Sequence, residues 1–124
     1  MKHEFDSSHE KYIEITVSSF ITQTGIIHAV FGLREHPDYL HKHSLWIFSN
    51  FSLGININEL KGIADIFRHY KPKKTAFANK SALVVSGQTY KSLLNLFATI
   101  ATDMPFEFQA FTDKDKAIDF LCSE

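Results

Sequence analysis

The sequence carries one cysteine, Cys122, in 124 residues. An internal disulfide and a cysteine-cage zinc site are therefore both excluded. Three prolines and five glycines stand singly along the chain, so no linker, low-complexity run or internal repeat is visible. No stretch approaches the roughly eighteen consecutive apolar residues of a membrane helix. The opening MKHEFDSSHE lacks the apolar run of a secretory signal, and a cytoplasmic location without membrane insertion is expected. An excess of one charge is missing too: 13 Lys and Arg stand against 14 Asp and Glu, a formal net charge of -1. A surface basic enough for indiscriminate nucleic-acid binding is thereby excluded, and no specific nucleic-acid partner is expected. There is no Gly-x-Ser-x-Gly elbow, Walker loop, dinucleotide fingerprint or His-Glu-x-x-His motif.

What the chain does have is apolar mass, 44% of residues, with twelve phenylalanines. The size fits one domain spanning 1–124. So many rings imply a core built on aromatics or some exposed aromatic surface. KHEF reads as a short edge strand and DSSHE as its turn. KYIEITV alternates, with Tyr12, Glu14 and Thr16 on one face and Ile13, Ile15 and Val17 on the other. TQTGIIHAVFGLREH changes period, with Ile26, Ile27, Val30, Phe31 and Arg34 at helical spacing, Thr22 or Thr24 as the cap and Pro37 as the stop. SLWIFSNF, SALVVS and FEFQAF read as strands. Helices are expected over 56–71, with Asn56 at the N-cap and Glu59 three residues on, and over 87–104. DKDKAIDFL closes the chain as a short helix, with Asp113 or Asp115 at its positive end. Strands separated by helices imply crossovers, hence an α/β fold with a mixed, mainly parallel sheet of four or five strands flanked by about four helices.

Three stretches invite chemistry. EHPDYLHKHS puts His36, His41 and His43 within eight positions with Asp38 between them. A metal site needs three or four converging ligands with oriented second nitrogens. A polar turn leading into a strand accounts for these residues without one, and no metal or other cofactor is expected. RHYKPKKTAFANK carries Arg68, Lys71, Lys73, Lys74 and Lys80 without an acid. Such a patch suits phosphates, anionic lipid or an acidic partner, though cations also favour a helix C-terminus and a solvated loop. VVSGQT sets Ser86 and Gly87 at the carboxyl end of a strand, the edge where open parallel sheets bind ligands. A strand-to-helix turn also uses these residue types for its own geometry.

The ordered set His36 to Tyr39, Leu45 and Trp46, Ala82 to Val85, and Phe111, Asp113, Ala117 and Leu121 resembles the STAS-like (SpoIIAA-like) family. These are small bacterial domains related to the sporulation anti-sigma factor antagonist. The resemblance spans roughly residues 10 to 122 and rests on order and spacing. It implies a sheet flanked by helices and a binding or signalling role. The phosphorylated antagonists carry a serine at the start of the second helix. The matching loop here is FSLGININE, so Ser52, Gly54 and Asn56 are the candidate surface, with Asn56 in the capping place. Asparagine caps a helix permanently but accepts no phosphate.

These readings converge on a non-enzymatic module for protein–protein interaction or regulation, working without the usual phosphoserine switch through an unidentified protein partner. The alternative is a domain that takes a small apolar or lipid-like ligand between helices and sheet, suggested by the phenylalanine content. A homodimer is also expected, formed through YIEITV near the sheet edge together with exposed rings.

Overall fold

The computed structural model describes residues 2–39, 41–53, 58–59, 61–62, 65, 80–85 and 107–123. Within them the chain forms β1 (Lys2–Asp6), β2 (Tyr12–Ile21), α1 (Gln23–Glu35), β3 (His43–Leu53), β4 (Lys80–Val85), β5 (Glu107–Phe111) and α2 (Lys114–Cys122). The strands make one five-stranded sheet in the order β1-β2-β3-β4-β5.

The sheet is mixed. β1 runs antiparallel to β2, while the β2–β3, β3–β4 and β4–β5 pairings are parallel. The expectation of a mainly parallel sheet is corrected to that extent, and connection length explains the difference. Only residues 7–11 separate β1 from β2, whereas a parallel crossover needs about a dozen residues or more. A hairpin was the only pairing open to neighbouring strands. Two complete helices stand among the described residues, where about four were expected. The helix expected over 87–104 lies outside the described residues. Of that over 56–71, residues Asn58, Glu59, Lys61, Gly62 and Asp65 are described and helical.

Alternation sends each strand's side chains to two cores. Ile13, Ile15, Val17, Trp46, Phe48, Leu83 and Val85 pack under α1 with Ala29, Val30 and Leu33. Tyr12, Leu45, Ala82 and Val84 pack under α2 with Ala117 and Leu121. Burial of an aliphatic side chain of this size contributes roughly 1.5–3 kcal/mol. β3 supplies both cores from adjacent residues, which marks it as a central strand.

α1 begins where Thr22 accepts the Gly25 N–H at 3.1 Å, satisfying one of the helix's unpaired first-turn donors. It ends at His36, with Pro37 unable to continue it. Its buried stripe is Ala29, Val30 and Leu33 with Ile26 alongside. Phe31, which shares the helical spacing, is 40% exposed. Both Ile26-Val30-Leu33 and Ile27-Phe31-Arg34 follow helical spacing, so spacing alone could not choose between them. The small residues decide. Gly32 meets the Phe5 ring of β1, where an added Cβ would lie 3.3 Å from the ring's edge carbons. That close approach turns the Ala29 side of α1 toward the sheet.

β2 runs four residues beyond the alternating heptapeptide, through Ser18, Ser19, Phe20 and Ile21. Between the Val17–Phe48 and Ser19–Phe51 pairs, β3 carries one residue more than β2. At this bulge Ser19 takes φ 71°, a left-handed conformation disfavoured for any side chain with a Cβ. β2 is not an edge strand, because β1 pairs along it. The dimer surface expected on YIEITV is therefore covered within the chain. Among the described residues the edge strands are β1 and β5; β1 is short and exposes charged Lys2, Glu4 and Asp6, features that discourage strand addition.

Candidate functional site

The two ends of the sheet differ in character. The amino end of the parallel strands holds the histidine-rich turn. There His36 closes α1 by donating its backbone N–H to Leu33 O, and its Nδ1 accepts the Asp38 N–H at 3.1 Å. Asp38 accepts the Ser7 hydroxyl. Lys42 donates to Ser7 O at 2.8 Å and Ser7 Oγ at 3.0 Å, and its ammonium lies 3.6 Å from the Asp38 carboxylate. These bonds join the β1–β2 turn to the α1–β3 loop across more than thirty positions of sequence. The Ser7 hydroxyl, and then the Lys42 charge, hold the Asp38 carboxyl below its ordinary value. A serine, a lysine and a carboxylate suggest a nucleophile, but a lysine serves as base only when neutral. Here the ammonium points its protons at three oxygens, so the group is a tie between loops.

The remaining histidines of this stretch go elsewhere. His41 is exposed. His43 accepts the Lys80 backbone N–H at Nδ1, 2.9 Å away. Among the described residues no three His, Cys, Asp or Glu side chains are grouped to hold a metal ion.

Of the basic run, Arg68, Lys71, Lys73 and Lys74 lie outside the described residues, and Lys80 belongs to α2 rather than to an open patch. Its ammonium donates to Phe120 O at 3.2 Å, Ser123 O at 2.6 Å and Ser123 Oγ at 3.1 Å. It also lies 5.5 Å from the centre of the Phe120 ring. A cation on the last carbonyls of a helix satisfies unpaired acceptors and opposes the negative end of the dipole. Lys80→Met keeps the stem and removes the charge. It should lower the unfolding free energy by about 1–2 kcal/mol, measured by urea denaturation.

Further along the α2 face, Asp6 and Glu14 sit opposite each other in the β1–β2 ladder, and Lys114 of α2 binds Glu14 at 2.8 Å. The Glu14 carboxylate raises the Lys114 pKa above its ordinary value. The Ser8 N–H and then its hydroxyl hold Asp6 low. Burial raises Tyr39 and Tyr12. The signs give a stability profile falling at both ends. Depressed Asp6 and Asp38 stabilise the fold above their unfolded value near 3.8, and that contribution is lost as pH falls through their lower folded values. Raised Lys114 contributes in full below 10.5, and the tyrosines add no penalty below 10.0. Above those values stability falls as pH rises through the folded pKa values. Denaturant midpoints measured across pH should show decline below about 4 and above about 10, with these groups contributing nothing to the slope between.

Of the loop residues chosen from sequence, Ser52 is the one that the structure describes. Ser52 lies in β3 and is the register partner of Phe20. Gly54, Asn56, Ser86 and Gly87 lie outside the described residues. Gln23, in the first turn of α1, donates from Nε2 to Glu59 O at 3.2 Å, so α1 and the helical residues around Glu59 meet. Phe20, 57% exposed, lies near the end of β2, immediately after the strained Ser19. Phe20 was missed from sequence. Its signal was there: Ile13, Ile15 and Val17 are odd-numbered, and a large ring at an even position of the same strand points to the other face.

No family model matches the sequence, and no curated protein matches it. The chain is similar to a crystal structure of an uncharacterised protein from the DUF3478 family with a SpoIIAA-like fold, from Shewanella loihica PV-4. Identity is 17%, with 98% of this chain and 93% of that chain covered, and the TM-score is 0.49.

Proposed function

We propose that this chain is a non-enzymatic binding module whose protein partner docks at the carboxyl end of the sheet, around Phe20 and the neighbouring end of β3, without a phosphoserine switch. The observation that supports this reading is the exposed Phe20 ring at the end of a strand, held in place by a backbone outlier at Ser19. Strained backbone persists where surrounding structure enforces it, and it concentrates at binding sites. A rigid aromatic offers large contact area at small entropic cost, which is why rings dominate interface energetics. Four of the described carboxylates are engaged in structure: Asp6 with Ser8, Asp38 with Ser7 and Lys42, Glu14 with Lys114, and Asp113 with the Asp115 N–H.

Affinity capture from a native lysate with the wild-type chain and with Phe20→Glu tests the proposal. Proteins retained by the first and lost by the second are the expected result. Native mass spectrometry covers the competing reading, since a retained small molecule would favour an apolar-ligand domain. Substantial phosphate on Ser52 in protein from its native host would contradict the absence of a switch.

Ser19→Gly separates strain from stability. The left-handed conformation costs a residue with a Cβ about 1–2 kcal/mol, and glycine returns part of this through backbone entropy. The variant should be more stable by about 0.5 kcal/mol. It should bind the partner more weakly, because Phe20 is held less firmly. Calorimetry and a binding titration read the two opposite signs.

A further inference from the structure

We propose that the amino end of the sheet contains an acid-released latch, in which the neutral imidazole of His43 holds the start of β4 and, through Lys80, the last turn of α2. Three observations meet in this one place. His43 Nδ1 accepts the Lys80 N–H at 2.9 Å across 37 positions of sequence. The His43 backbone N–H in turn donates to Lys11 O at 2.9 Å, which ties the start of β3 to the residue before β2. The Lys80 ammonium holds Phe120 O and Ser123 O, so the residue that His43 positions is also the cap of α2.

An imidazole nitrogen accepts a hydrogen bond only while it carries no proton. Protonation at Nδ1 would set one N–H against another and break this hydrogen bond. Imidazoles titrate near pH 6.5, inside the range a cell can reach. The surroundings of the ring contain charge of both signs. Lys11 lies just before β2, and β2 presents Tyr12 opposite His43 in the ladder and then Glu14, which Lys114 of α2 holds. β4 presents Lys80, whose register partner on β5 is Glu107. α2 brings Cys122 near Tyr12. His36 and His9 also accept backbone N–H groups at Nδ1, but from residues two positions on. Their loss would loosen single turns, whereas the His43 bond joins β3 to the start of β4, at the residue whose ammonium holds the end of α2.

Amide hydrogen exchange of the full chain, corrected for intrinsic rates, tests this at pH about 7.5 and about 5.5, either side of the imidazole range. In the wild type, protection at Lys80 should fall roughly tenfold on acidification, the equivalent of one hydrogen bond, with a parallel fall over the last turn of α2. His43→Asn places a non-titrating acceptor where Nδ1 stands, and its protection should not change between the two conditions. Equal protection of Lys80 at both pH values in the wild type would overturn the latch, as would an identical fall in His43→Asn. If that variant does not fold, nitrogen NMR of the wild-type imidazole decides. Nδ1 of His43 should be the unprotonated nitrogen at neutral pH, and a proton found there contradicts the proposal.

Discussion

Trp46→Ala is expected to lower the free energy of unfolding by about 4 kcal/mol, within the range for removing a large buried ring. Trp46 is 8% exposed and sits on the α1 face of β3, among Ile15, Val17, Leu83 and Leu33 of the same core. Both neighbouring strands pair along its backbone, so the surrounding structure has little freedom to collapse into the space left behind. Leu121→Ala, on α2, should cost about 3 kcal/mol by the same mechanism. The two residues belong to different cores on opposite faces of the sheet. Sites without shared partners add to within about 0.5 kcal/mol, so the double variant should lose the sum. Urea denaturation of the four proteins checks both magnitude and additivity. A double variant much less damaged than the sum would mean that the two faces share one core.

Phe20→Ala is expected to weaken partner binding by roughly thirtyfold, the effect of losing an aromatic hot spot worth about 2 kcal/mol. Unfolding free energy should change by no more than about 0.5 kcal/mol, as for other surface substitutions. The contrast follows from where the ring stands. Ile21, next along β2, is fully buried under α1, while Phe20 faces the other way and is mostly solvent-exposed. A ring that contributes little to the fold yet sits on a strained, fixed backbone has its energy available for a partner. Phe31, exposed on α1, is the internal comparison. It is away from the sheet's carboxyl end, and Phe31→Ala should leave binding unchanged.

Much of the fold was legible because it rests on local chemistry. The alternation in KYIEITV assigned Ile13, Ile15 and Val17 to one face, and they line one core. A short oxygen-bearing side chain before an apolar periodic stretch marks a helix start, which left Thr22 or Thr24 and Asp113 or Asp115; the structure has Thr22 and Asp113 accepting the first-turn N–H groups. The length of β2 was not legible. The alternation in KYIEITV stops at Val17, and pairing with a bulged β3 keeps Ser18 and Ser19 in the sheet. Which of two adjacent stripes α1 would bury depended on Gly32 meeting Phe5, a contact between distant positions. The roles of the polar residues were hidden for the same reason. His43 looked like a metal-ligand candidate and Lys80 like part of a basic patch, yet their partners lie 37 and about forty positions away. Composition shows which groups are available, and only the topology decides which of them are already engaged.

Photo-crosslinking tests the docking surface most directly. A photoreactive aromatic amino acid would be placed at the Phe20 position and, in separate proteins, at the Phe31 and His41 positions, each irradiated in native lysate. The account predicts a discrete protein adduct from the Phe20 position that is absent from the other two, and whose peptide map on this chain includes the end of β3. Adducts arising from the His41 position, with none from the Phe20 position, would place the partner at the opposite end of the sheet and contradict the account.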